Sequence, residues 1–354
     1  MTAAEVTAAV LWLGTVIYAI FGGADFGAGV WDLTAGEGPS GDALRAQIDR
    51  SLAPVWEANH TWLIFDLVIL WSGFSGVFAA IMTTLYLPLA LALVGIVLRG
   101  SGFAFRKVTR RLTGRRLFGI SFALSSALTP FFLGTVIGAI ASGRVPPGGN
   151  GDPFASWLNP TSLIVGALAV AAGAYVAGAF LIADARRDQP AIVDAFRYRT
   201  LGAGIVAGGL AIAGLLLIRV DAPQLFSGLT GPALPLVVIS VVAGTVSLAL
   251  CAFAGGRWTR FVGVVAVGSI IVGWGVAQYP LILPPSLTIS AAAAPEGTIV
   301  SLLVIATAAA VIIGPSIGLL FWLQQQGQLV AEPAAEPGQE PAGTGSGTDG
   351  ISPA

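Results

Sequence analysis

Two short blocks and a few scattered side chains hold most of the groups that could do chemistry. The first block is Gly22-Gly23-Ala24-Asp25-Phe26-Gly27-Ala28-Gly29, followed by Asp32. Asp25 and Asp32 are seven residues apart and share one helix face. Small residues recur at four-residue spacing, Gly23 with Gly27 and Ala24 with Ala28, so a second helix can approach closely. An ionisable group inside a membrane is costly and is a functional candidate by default; the plainer reading is that both acids border the membrane surface. The second block is Pro54-Val55-Trp56-Glu57-Ala58-Asn59-His60-Thr61-Trp62-Leu63-Ile64. Pro54 suits a first helical turn, where the helix dipole favours the Glu57 carboxylate, and His60 follows one turn up the same face. A carboxylate beside an imidazole at the start of a span is equipped to relay protons. The plainer reading is a helix-start carboxylate within an interfacial belt of Trp56 and Trp62. Glu57, His60 and Asp25 are therefore the candidate proton-pathway residues. Asp66 lies about 180° round the helix from Glu57 and faces a different neighbour, with no role assigned. Arg99, at the head of Arg99-Gly-Ser-Gly-Phe-Ala-Phe-Arg106-Lys107, reads as an anchor to lipid head groups.

The scarce residues exclude other chemistry. The chain of 354 residues has one His and one Cys, and its two Met include the initiator. A structural zinc site needs about four Cys or His ligands, so none is expected, and a Cys-ligated iron–sulfur cluster or an internal disulfide is equally out of reach. His60 could ligate a single iron, with Met82 a second ligand elsewhere, although a lone His at a polar helix start is more often hydrogen-bonded. No Walker A loop precedes Lys107, and no G-x-S-x-G motif accompanies His60. The 17 basic and 18 acidic residues nearly cancel, which argues against a nucleic-acid partner. Any redox cofactor must find most of its ligands on another polypeptide.

These groups need elements to hold them. Only 10% of the residues are charged, against about a quarter in soluble domains, so the chain reads as an all-α integral membrane protein. Stretches of roughly 20 apolar residues fall at about 5–28, 54–73, 77–98, 117–142, 161–184, 200–219, 232–254, 259–279 and 298–323. Nine spans result, read as two four-helix groups plus one further helix. The first opens with Glu5 and lacks a basic flank, so it reads as a span rather than a cleavable leader. With nine spans, 15 of the 17 basic residues fall on one side. By the positive-inside rule that side is cytoplasmic, which puts the N-terminus outside and the C-terminus inside. A short surface helix is expected to lead from Asp42 into the second span. Residues 1–323 form the membrane domain. Residues 324–354, rich in Gln, Pro, Glu, Gly and Thr, read as a disordered cytoplasmic tail.

Taken together, the blocks resemble subunit II of the cytochrome bd-type (cyanide-insensitive) quinol oxidases. The residues that carry the resemblance are Gly23–Val30, Pro54–His60, Trp62-Leu63-Ile64, Leu98-Arg99-Gly100 and Phe103–Arg106. Ser125–Phe131 and Tyr279-Pro280 with Pro284-Pro285-Ser286 continue the series in the family's order. The resemblance implies a haem-bearing subunit I as partner, holding haem b558, haem b595, haem d and the quinol site. This chain would stabilise that partner and help admit cytoplasmic protons for reduction of O2 to water, in the bacterial cytoplasmic membrane. The complex would oxidise quinol and generate a membrane potential without pumping. The family associates the acidic position at Glu57 with a proton channel at the subunit interface, and the position at Asp25 is also acidic. No family role falls on Asp66. A structural quinone in this chain, held by some members, is left open. The rival is a stand-alone secondary transporter, which would place its charges near the bilayer midplane; a scaffold subunit without a proton role is a third reading.

Overall fold

Lipid offers no partner to backbone N–H and C=O groups, so a chain this poor in charge satisfies them within helices. The computed structural model describes residues 1–108, 112–253 and 256–325, and for a few helical residues, Glu57 among them, the backbone alone. The chain divides into two units, residues 1–306 and 307–354. Among the described residues, twelve α-helices run in order: α1 (Ala3–Leu33), α2 (Pro39–Gly73), α3 (Ser75–Thr84), α4 (Tyr86–Val108), α5 (Leu112–Ala141), α6 (Pro160–Asp188), α7 (Val193–Asp221), α8 (Pro223–Thr230), α9 (Leu234–Phe253), α10 (Arg257–Gln278), α11 (Ile289–Ala292) and α12 (Glu296–Gln325). A short antiparallel hairpin, β1 (Leu281–Leu283) with β2 (Leu287–Thr288), lies between α10 and α11. The second unit contributes the helical residues 307–325, in which Val311 and Ile312 are exposed. Of the expected tail, residues 326–354 lie outside the described residues.

Among the described residues, seven helices are long and apolar enough to cross a membrane, and an eighth is gained if one bent pair counts as a span. The expectation of nine parts from this count at residues 54–98. The expected surface helix and second span are one continuous α2, which stops at Gly73 and turns by 116° into α3. The expected third span is broken at Leu85. Pro88, three residues further on, has no N–H to offer the Thr84 carbonyl, and its ring crowds that carbonyl, so the helix cannot run through. The apolar part of α4, Tyr86–Gly102, rises roughly 25 Å at 1.5 Å per residue, short of a core about 30 Å thick.

Within the first unit, α1 packs against α2, α5 and α6, while α5 also packs against α4. A second group forms from α6 with α7 and α10, and α10 with α9. The α1–α6 contact is the closest kind two helices can make. A Cβ at Gly27 would collide with the Gly173 carbonyl and the Ala174 nitrogen, and one at Gly173 would press on Gly23. The small-residue pattern is what admits this approach. Trp31 then locks the pair, donating from Nε1 to the Ala174 carbonyl at 2.9 Å inside a cluster with Ile48, Leu181, Ile182 and Phe196.

Polar ties fix the ends of the helices. Thr2 and Glu5 form a reciprocal capping box at the start of α1, and the other Glu5 oxygen accepts from the Tyr279 hydroxyl at 2.8 Å. That bond raises the Tyr279 pKa, because losing the phenolic proton would set two anions side by side. Arg144 clasps Asp221 with two bonds of 2.9 and 2.6 Å, and Thr161 donates to the same carboxylate. The Arg144 guanidinium is held charged still more firmly by that pairing.

Candidate functional site

The polar centre of the first unit is a buried ion pair between α1 and α4. Arg99 Nη2 lies 2.6 Å from Asp25 Oδ1 and donates at 2.8 Å to the Asp25 carbonyl as well. The two side chains are 2% and 1% exposed, so neither reaches lipid head groups or solvent. The Arg99 Nη1 donates to Ser126 on α5. Two aromatic faces flank the guanidinium, Phe122 at 4.4 Å and Phe26 at 5.0 Å from ring centroid to Cζ, a placement that suits a planar delocalised cation. Asn59 on α2 closes the other side, its Nδ2 lying 3.5 Å from Asp25 Oδ2.

Glycines clear the space. A Cβ at Gly29 would overlap Ser126 and the Arg99 guanidinium, and one at Gly22 would strike the Asn59 amide. Two polar atoms at this spot are buried and have no described partner, Asn59 Oδ1 and Arg99 Nε. Buried polar atoms of this kind are what ordered water requires. Nearer the end of α1, Asp32 is also buried, with Arg45 Nε 3.7 Å from its carboxylate. Arg45 is one-third exposed and donates to the Gly36 carbonyl at 2.7 Å. Asp25 is thereby set behind a second, more accessible acid–base pair on the same helix face.

Of the three candidates from the sequence, Asp25 is the residue whose surroundings are fully described. It is joined to Asn59, the neighbour of His60, and His60 itself is half-buried on α2. The Glu57 side chain lies outside the described residues. Arg99 and Ser126 were missed by sequence reasoning. Arg99 is no head-group anchor: it turns inward because a buried carboxylate on α1 offers it a full charge partner, whereas a snorkelling Arg would keep its head in water. The usable signal was Gly102 three residues beyond Arg99, a small residue that allows a neighbouring helix close; a Cβ at Gly102 would meet Phe118 and Phe122 of α5.

Among the described residues, the soft and imidazole donors are spread over separate helices. His60, Met82 and Cys251 sit on α2, α3 and α9, and the buried Cys251 sulfur approaches the Arg197 carbonyl at 3.7 Å. Among the described residues, no three His, Cys, Asp or Glu side chains gather as metal ligands do. Fold and site together define a multi-pass, helical membrane protein with a charge pair sealed among four of its helices. The model of the family "Cytochrome bd terminal oxidase subunit II" matches residues 3–324, and the chain belongs to that family.

Relatives agree. "Cytochrome bd-I ubiquinol oxidase subunit 2" of Escherichia coli (strain K12) is 27% identical over 179 residues, covering 47% of this chain and 46% of the relative. "Cytochrome bd ubiquinol oxidase subunit 2" of Bacillus subtilis (strain 168) is 25% identical over 135 residues, 38% of each chain. The chain thus matches about half or less of the length of these curated relatives. In three dimensions it resembles a chain of the bd oxidase from Geobacillus thermodenitrificans, with a TM-score of 0.69 and 25% identity, covering 91% of this chain and 98% of that one.

Proposed function

We propose that this chain is the second subunit of a quinol-oxidising terminal oxidase. Its partner would be a haem-bearing subunit I that carries haem b558, haem b595 and haem d, whose iron supplies the reduction of O2 to water. Its place would be the bacterial cytoplasmic membrane. The spans would number nine, in two four-helix groups plus a last helix, with the N-terminus outside, the basic loops inside and residues 324–354 as a cytoplasmic tail. This chain would contribute two things: a helical surface that stabilises the partner, and a path for cytoplasmic protons.

The observation that carries the proton role is the sealed Asp25–Arg99 pair with Asn59 and Ser126 around it. A charge pair so deep is poor evidence for stability, since apolar residues of the same shape often serve as well. Its chemistry is more telling. Asp25 presents acceptor oxygens, Arg99 fixes them in place, and the unused Asn59 oxygen faces the same spot, so water held there can pass a proton along hydrogen bonds. Asp32 and Arg45 form the outer step toward the basic side. Glu57 and His60, at the start of the second expected span, are proposed as the feeder into this path. Family membership counts against a stand-alone transporter.

The test begins with the tagged chain purified in mild detergent. A reduced-minus-oxidised spectrum showing b- and d-type haem bands supports the assignment, and a colourless preparation that is complete without a partner overturns it. Asp25→Asn in that complex should slow O2 consumption while leaving the haem bands in place.

A further inference from the structure

Residues 15, 18, 22, 25, 29 and 32 of α1 follow one another at alternating steps of three and four, which keeps them on a single face. They are Thr15, Tyr18, Gly22, Asp25, Gly29 and Asp32: polar or bare at every step of an otherwise apolar helix. Each meets a polar partner or makes room for one. Arg45 pairs with Asp32, Ser126 and Arg99 fill the space over Gly29, Arg99 and Asn59 hold Asp25, and the Asn59 amide lies against Gly22. The Tyr18 ring borders the same Gly22 space, and Tyr18 stands on this face between Thr15 and Asp25, one turn from the first and two from the second.

At the far end stands Asp66 of α2. Its Oδ2 lies 3.0 Å from Thr15 Oγ1, and its Oδ1 is buried against Gly14, where a Cβ would overlap it, with no described hydrogen-bond partner. Among the described residues no salt bridge reaches it. Thr15 Oγ1 is also 3.1 Å from the Leu11 carbonyl. A hydroxyl has one proton, so Thr15 cannot fully serve the Leu11 carbonyl and an Asp66 carboxylate together. If Asp66 carries a proton, both contacts are satisfied: Asp66 donates to Thr15 and Thr15 donates to Leu11. The leftover Oδ1 is then a neutral carbonyl oxygen, much cheaper to bury than an ionised one. Thr15 lies ten residues from Asp25, about 15 Å along the helix, which is half the thickness of a core of about 30 Å.

We propose that Asp66 is a proton-holding residue at the inner end of this stripe, a neutral carboxylic acid in the membrane interior that exchanges its proton through Tyr18 and Asp25 with the Asp32–Arg45 end. The inference rests on the proton path proposed above and extends it to a carboxyl group on which the family resemblance places no role. Asp66 neither touches a reacting atom nor needs a cofactor; what it does is store and return one proton.

The test is infrared spectroscopy of the purified complex in lipid, transferred from H2O to D2O. Wild type should show the C=O band of a protonated, buried carboxylic acid. That band should disappear in Asp66→Asn, and it should move without disappearing in Thr15→Val, which keeps the shape and removes the hydroxyl. In Tyr18→Phe, which removes the one hydroxyl on this face between Thr15 and Asp25, its exchange into deuterium should slow about tenfold. A spectrum identical in wild type and Asp66→Asn means an ionised Asp66 and overturns the proposal, as does exchange unaltered by Tyr18→Phe. If Asp66→Asn fails to accumulate, the Thr15→Val band shift decides: an unmoved band refutes the assignment. The outcome is separable from that of the oxidase reading, because O2 consumption unaffected by Asp25→Asn would refute the latter and leave this band where it is.

Discussion

Arg99→Met removes the cation from a site where the facing carboxylate is 1% exposed. Met keeps most of the aliphatic volume between Phe26 and Phe122, so the change isolates the charge. Asp25 would keep the Asn59 contact at 3.5 Å, a weak substitute for a bond of 2.6 Å to a full cation. Breaking a buried pair from one side costs about 3–5 kcal/mol, a large part of the roughly 5–15 kcal/mol that holds a typical protein folded. Asp25→Asn alone should be costly as well, since it strands the guanidinium. The double variant Arg99→Met with Asp25→Asn removes both charges and should recover much of the loss, giving a coupling energy of about 2 kcal/mol or more. The assay is an SDS titration of the purified protein in mixed micelles, comparing wild type, both single variants and the double. Single-variant losses that simply add, or that fall below about 1 kcal/mol, would refute the claim that these two side chains act as a sealed pair.

Further predictions follow from the packing and the loops. Gly27→Leu drives a side chain into the Gly173 backbone; overpacking of this kind costs about 1–3 kcal/mol or more, seen as reduced yield and earlier thermal unfolding. Gly76→Ala, where a Cβ meets open space, should leave both unchanged. Asp152, in the loop before α6, accepts from the Phe154 and Ala155 N–H groups, and the Ala155 bond, then the Phe154 bond, hold its carboxyl below the usual range. A depressed folded pKa stabilises the loop above the unfolded value of about 3.9 and loses that support as pH falls through the folded value. Amide exchange at Phe154 and Ala155, corrected for its intrinsic pH dependence, should therefore gain protection above pH about 4 and lose it below, and Asp152→Asn should flatten the profile.

The sequence was most legible where one residue type allows one geometry. The Gly23–Gly27 spacing announced a close helix partner, and Gly173 of α6 is that partner. Asp25 stood out because a carboxylate in an apolar run needs an explanation. Its partner did not stand out: Arg99 lies 74 residues away and directly precedes a strongly basic stretch, where one more arginine looks like one more anchor. Which arginine turns inward depends on how α1, α4 and α5 meet, and local pattern does not encode that. The break at Leu85 was hidden for a different reason. Hydropathy runs smoothly from Val77 to Leu98, and Pro88 interrupts the backbone without interrupting the apolar character. Asp66 was visible as a charge without a neighbour, since the angle from Glu57 showed only where it does not point; Thr15 became its partner once α1 and α2 were seen side by side.

In the proposed function, protons reach an oxygen-reducing partner through Asp25 and Glu57 of this chain. The most direct measurement is steady-state O2 consumption by the purified complex with reduced quinol, comparing wild type with Asp25→Asn and Glu57→Gln at equal haem content. Turnover should fall about a hundredfold in both, at the modest end for loss of a proton-transfer group, with unaltered haem spectra. Turnover equal to wild type in both variants would contradict it.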